Sequence, residues 1–244
     1  MSIADSLFSS TGFGVSTAAD RRAARNWAAN LVALRRTQPR LASAIEEIPA
    51  RVEWVFGRDG TLTALDSAGS WIAGCSVPLR AARALLKTLE PKGVVGCFLS
   101  PNHAAQVQVA LSLQQPEQAL IVIWPDTHQL RLALSCADFS SALISHRLFF
   151  AWGEHWPLRL NEILVENPGL PIPQQFIRTS LLPEEQTQPL IREAQQLFSD
   201  ETARRATLVR QLTERRQPSL APVGRLAILA PSRYRLWDDD AQIL

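Results

Sequence analysis

No apolar run in this sequence approaches the ~20 residues needed to cross a bilayer. The N-terminus, MSIADSLFSSTGFGVSTAADRR, has no basic start leading into an apolar stretch, so neither a membrane span nor a secretory leader is expected. Cysteine is scarce: Cys75, Cys97 and Cys136 are an odd number without CxxC spacing, and they sit in apolar segments. They read as free, buried thiols in a reducing compartment, which points to the cytoplasm. Neither sign of charge is in excess, with 25 Lys and Arg against 23 Asp and Glu and a net charge of +2. Bulk electrostatics therefore gives no reason to expect nucleic acid or an anionic membrane as a partner. Catalytic signatures are missing too: no HExxH, no recurring metal-ligand spacing, no G-x-S-x-G elbow and no Walker lysine motif.

What is present suits a globular α/β protein. The 244 residues are 46% hydrophobic, enough for one good-sized core or a main domain with appendages. Residues 1–18 are rich in Ser, Thr and Gly and read as a loose arm. Asp20 is a candidate N-cap for a helix that keeps Trp27, Leu31 and Leu34 on one face and arginines around them, ending before Pro39. VEWVF, TLTALD and WIAGCSV, separated by Asp, Gly and Ser turns, suggest a small antiparallel meander. A helix opens at Pro78, carries Leu79, Leu86 and Leu89 on one face, and stops at Pro91-Lys92-Gly93.

From Gly93 the pattern becomes regular. VVGCFL, ALIVIW and RLFFAWG are continuous apolar runs, as in strands buried on both faces, and each is followed by a helical pattern. Three strand-helix units of this length predict a parallel sheet. LPIPQQF then reads as a Pro-rich turn. Residues 184–216 make a long charged helix, interrupted near Pro189, whose narrow stripe of Leu208 and Leu212 suits a connecting element. RLAILAP, near the C-terminus, is strand-like and has two readings, a further strand of the main sheet or, the one favoured by the long helix and linker before it, the beginning of a second α/β domain. The organisation expected is an arm over 1–18, a helix and meander over 19–92, a Rossmann-like core over 93–183, connecting helices over 184–217 and a terminal strand over 218–244. The fold class is α/β, a Rossmann-like (methyltransferase-like) parallel sheet with an N-terminal helix, a small meander and a long C-terminal helix.

Ligands of open parallel sheets bind outside the carboxyl ends of the strands, near the point where strand order reverses. That rule selects residues 100–103, 125–128 and 153–155, and makes Ser100, Asn102, His103, Asp126 and Glu154 the candidate ligand-binding residues. Asp126 reads two ways, as an acceptor for ribose hydroxyls or as the cap of the next helix. Glu154 could face a ligand or simply be a solvated loop acid. The first loop is the one that departs from a cofactor site. Such a turn uses glycine for close backbone approach and positive φ, whereas here it is Leu99-Ser100-Pro101-Asn102, with a proline that lacks an N–H. Asn102 can cap the following helix, whose N-terminus could still receive an anion. His103, Asp126, His128 and His155 share this rim without the spacing of a metal site.

The stretch over 94–154 resembles the Rossmann-like region of the motility-associated-factor glycosyltransferase-like proteins, which are linked to flagellin glycosylation. The elements that carry the resemblance are IVIWPD, ending at Asp126, then Leu130 to Leu134, Asp138-Phe139-Ser140, and RLFFAWG. In that family a glycine-rich turn follows the first strand, and an acid stands where this chain has Trp124. The closing RLAILAPSRYRLWDDDAQIL is similar to the first strand and loop of a GT-B glycosyltransferase domain. Together these resemblances imply a degenerate accessory domain of a bacterial glycosyltransferase, not catalytic alone, with a glycosyltransferase domain or a protein acceptor as partner. A SAM-dependent methyltransferase-like or nucleotide-sugar-binding enzyme is the alternative, with SAM or a nucleotide sugar as cofactor. A pure protein interaction module, using the arginine-bearing helices, is a third reading.

Overall fold

The computed structural model describes residues 17–90, 93–178 and 184–216. The expected N-terminal arm up to residue 16, the helix stop at Pro91-Lys92 and the strand-like RLAILAP lie outside the described residues.

The chain begins with α1 (Ala18–Thr37), which is capped by Thr17 rather than by Asp20. The Thr17 hydroxyl accepts the Asp20 amide at 3.0 Å, and Asp20 returns its carboxylate to the Thr17 amide at 2.7 Å. Asp20 is thus the third helical residue of a capping box, a role whose spacing is Thr-x-x-Asp. Next come α2 (Pro39–Glu46) and an antiparallel pair, β1 (Glu53–Phe56) with β2 (Leu62–Leu65). WIAGCSV contributes a single bridge, Leu65 to Trp71, and no third strand. Its chain turns back instead, with the Gly74 amide on the Trp71 carbonyl and Gly74 at φ 70°, a conformation glycine adopts without a Cβ clash.

The main sheet follows α3 (Pro78–Leu85). Its elements are β3 (Val95–Leu99), α4 (Ala104–Ser112), β4 (Ala119–Trp124), α5 (Thr127–Cys136), α6 (Ser140–Ile144), β5 (Leu148–Trp152), α7 (Trp156–Glu166), β6 (Gln175–Ile177) and α8 (Glu184–Arg216). The four strands are parallel in the order β5-β4-β3-β6. LPIPQQF, expected to be only a turn, supplies β6: Phe176 and Ile177 pair with Cys97 and Phe98.

Successive strand residues point to opposite faces, and both faces are covered. Phe98, Leu120, Val122, Trp124 and Phe150 join a core with α1, α4 and α5, while Cys97, Leu99, Ile121, Ile123 and Phe149 join a second core with α7 and α8. Burial on two sides explains why these runs are apolar at every position. The helix α1 is locked to the α5–α6 corner by Asn30, whose amide donates to Leu134 O and Ala137 O and accepts the Phe139 amide, all within 2.7 Å. On the other face, Glu201 holds Arg204 and Arg205, and Arg205 donates onward to the Leu164 carbonyl in the last turn of α7 and to the Leu170 carbonyl in the turn that follows it. Pro189 does not interrupt α8; near the helix start a missing N–H removes only one internal bond. Among the described residues no helix is long and apolar enough to cross a membrane.

Candidate functional site at the carboxyl end of the sheet

In the order β5-β4-β3-β6 the chain runs outward from β3 through β4 to β5 and then returns to the other side of β3. The reversal therefore lies between β3 and β6, and the loop after β3 is the natural place for a ligand. Residues 179–183 lie outside the described residues. Asp126 follows β4, one strand away from β3, and Glu154 follows β5, two strands away.

Four amides between the end of β3 and the first turn of α4 are already engaged. Ser100, in the left-handed region at φ 40°, gives its N–H to Ile123 O at 2.8 Å and so prolongs the pairing of β3 with β4. Pro101 is buried and has no N–H. The Asn102 amide donates to Gln106 Oε1 at 3.0 Å, and the Ala105 amide to His103 Nδ1 at 3.1 Å. The Gln106 amide donates to the His103 carbonyl. A cradle for pyrophosphate needs several such N–H groups directed at one point, and four amides of this turn face inward partners instead.

His103, and not Asn102, is the N-cap of α4. The extended backbone of His103 puts its ring over the first turn, while the Asn102 amide is held back by Gln106. Burial pushes the His103 imidazole down to about 4, with the Asp59 carboxylate acting weakly against it, so the ring is neutral at pH 7. Because Nδ1 accepts from Ala105, the proton is assigned to Nε2. Nε2 of His103, Oδ1 of Asn102 and Nε1 of Trp124 are all buried without a hydrogen-bond partner among the described residues. Trp124 ends β4 and Asn102 and His103 follow β3, so these three atoms lie at the carboxyl end of the sheet; six further buried side-chain atoms, among them Gln38 Nε2 and Thr63 Oγ1, are likewise unpartnered among the described residues. A cleft of about 170 Å³ is lined by Ile72, Asn102, His103, Gln129, Leu132 and Ala133.

The remaining candidates are on the outside. Asp126 is exposed and caps α5, accepting the Gln129 amide at 3.0 Å. Glu154 is exposed in the turn before α7. Their loops do touch: the Gly153 amide donates to Trp124 O, and a Cβ on Gly153 would stand 3.5 Å from Thr127 Cγ2. Of the histidines, His103 is buried and His128 and His155 are exposed, and no three His, Cys, Asp or Glu among the described residues gather as a metal site. Burial raises the Cys97 thiol and pushes Cys136 up to about 12, which leaves both as packing groups.

Two contributors escape the sequence reading. Gln106 has a signal, since a Gln four residues after Asn102 can reach back to it as in a capping box. Asp59 has none nearby: it leaves the β1–β2 turn to accept the Leu79 and Arg80 amides of α3 at 2.9 and 3.0 Å, as well as the Thr61 amide. Burial alone would raise its carboxyl, but these hydrogen bonds hold it below the usual carboxylate range.

No family model matches the chain, and no curated protein matches it. Among solved structures, the fold is similar to that of the MAf glycosyltransferase from Magnetospirillum magneticum AMB-1, at 16% sequence identity and a TM-score of 0.53. The alignment covers 71% of this chain and 35% of that one, so this chain spans about a third of that protein's length. At this identity the likeness is one of fold.

Proposed function

We propose that this chain is a Rossmann-like accessory domain of bacterial glycosylation machinery, acting on proteins or the cell surface by binding and positioning partners rather than by transferring sugar. The observation that carries the non-catalytic half is the β3–α4 loop, where Ser100, Asn102, Ala105 and Gln106 have their amides engaged internally and Pro101 has none. Fold likeness to a solved glycosyltransferase, and the resemblance of residues 94–154 to the motility-associated-factor proteins, support the glycosylation half. The partner in this reading is a glycosyltransferase domain or the protein acceptor. Incubating the purified chain with a panel of nucleotide sugars and an acceptor protein, followed by mass spectrometry, is expected to show no transfer. Turnover above the uncatalysed background overturns the proposal.

The competing enzyme reading places a ribose on Asp126. It has one point in its favour, the exposed carboxylate in the loop after β4, the strand next to the reversal. Against it stands the use of that carboxylate as the α5 cap.

A further inference from the structure

We propose that the outer edge of β6 is a docking surface for residues 225–231 of this same chain, RLAILAP, which join the sheet there as a fifth parallel strand. This does not depend on a role in glycosylation.

The two edges of the sheet differ. On β5 the Phe150 amide donates to Gln38 Oε1 at 3.0 Å, so the corner between α1 and α2 covers that edge. β6, at the opposite end of the order β5-β4-β3-β6, pairs with β3 alone among the described residues. Beside it a groove of about 260 Å³ is lined by Leu86, Leu89, Phe176 and Ile177 together with Thr88 and Arg178. A strand edge of this kind is a template for a further strand, and proteins seldom leave one uncovered.

The crossover geometry selects the occupant. The step from β5 to β6 passes through α7 on the face of the second core, and α8 packs on that same face. A crossover on that face keeps its hand only by stepping in the same direction, so a parallel strand after α8 belongs outside β6 and not beyond β5. The course of α8 agrees. It starts after the carboxyl end of β6 and reaches the amino end of the sheet, where Arg205 holds the Leu164 and Leu170 carbonyls at and just beyond the last turn of α7. From Arg205 to Arg216 it runs roughly 16 Å further. Residues 217–224 reach about 26 Å when extended, enough to bring the chain back to the amino end of β6.

The segment itself suits this edge. Leu226 and Ile228 alternate with Ala227 and Leu229, so both of its faces are apolar, as in strands buried on two sides. The edge offers cover for both. Leu86 and Leu89 belong to the first core, and on the other face Phe176 stacks on Phe198 of α8 at 5.7 Å.

The test is hydrogen exchange of the full chain, read by mass spectrometry. Amides within 225–231 are expected to exchange about a hundredfold or more slowly than in the free peptide of that sequence. Ile228→Asp puts a charge on one face of the strand, and Leu229→Asp puts one on the other. Each should return the segment to the free-peptide rate and speed exchange in β6 by about tenfold or more, while β4 keeps its protection and reports a folded domain. The proposal is overturned if the segment exchanges at the free-peptide rate in the unaltered chain, or if neither variant loosens the segment and β6 together, as at the start of a separate domain. It is overturned too if the protection of the segment falls on dilution, which would make the occupant a second copy of the chain. Failure here leaves the sugar-transfer test of the accessory role untouched, and the reverse holds as well.

Discussion

Asn30 and His103 are both buried polar side chains, 0% and 3% exposed, placed against the same face of the sheet, yet they are treated in opposite ways. Asn30 makes three hydrogen bonds, two donated to carbonyls and one accepted from an amide, and these join α1 to the turn after α5. His103 makes one through its ring and leaves Nε2 without a partner among the described residues, as the preceding Asn102 leaves its Oδ1. A buried polar group costs stability unless it is paired. The contrast therefore separates a polar group that serves the fold from polar groups that the fold leaves unpartnered at the carboxyl end of the sheet.

The largest effect expected is at Asn30. Truncation in Asn30→Ala strands two carbonyls and one amide inside the protein, and should cost roughly 3 kcal/mol in urea denaturation. A loss under about 1 kcal/mol would mean the site relaxes or admits water.

At His103 the comparison is sharpened by pH. Its folded value near 4 lies below the ordinary 6.5, so between these limits the unfolded chain holds a proton that the folded chain does not. Stability from this group is full above pH 6.5 and falls as pH drops toward 4, by about 2 kcal/mol between pH 7 and pH 5. His103→Asn keeps a capping side chain without the titrating ring, and should remove this part of the slope in urea unfolding at the two pH values.

Smaller effects belong to the caps. Asp59→Ala should cost about 1 kcal/mol, because the carboxylate serves two amides at the start of α3 and one in its own turn. With the Asp59 pKa lowered, that contribution is present above the ordinary carboxylate value and is lost as pH falls through its folded value. Asp126→Ala removes a single exposed cap bond and should cost only about 0.5 kcal/mol by thermal or urea denaturation.

The sheet was readable because its physics leaves a mark on every residue. VGCFL, ALIVIW and LFFAW are buried on both faces, and no polar residue could be tolerated within them. β6 left no such mark: it is three residues long, follows two prolines and takes its identity from pairing with β3. In the same way, Thr17 and Asp20 form a box that a pattern search over spacing could recover, whereas WIAGCSV has strand-like composition but folds back at Gly74.

The site was legible at the level of loops and not of atoms. Topology alone selected the residues after β3, β4 and β5, and the missing glycines and Pro101 already argued against a phosphate cradle. Which residue caps α4 depended on a competition between Asn102 and His103 that Gln106 decides from inside the helix. The Asp59 tie from a distant turn is a tertiary contact with no local signal at all.

The account rests on the inward-facing amides of the β3–α4 loop, and calorimetric titration with SAM, NAD and UDP-glucose tests it most directly. No heat of binding is predicted up to millimolar ligand for any of the three. Micromolar binding of one of them, lost in Asp126→Ala, would contradict the account and establish a nucleotide site in this fold.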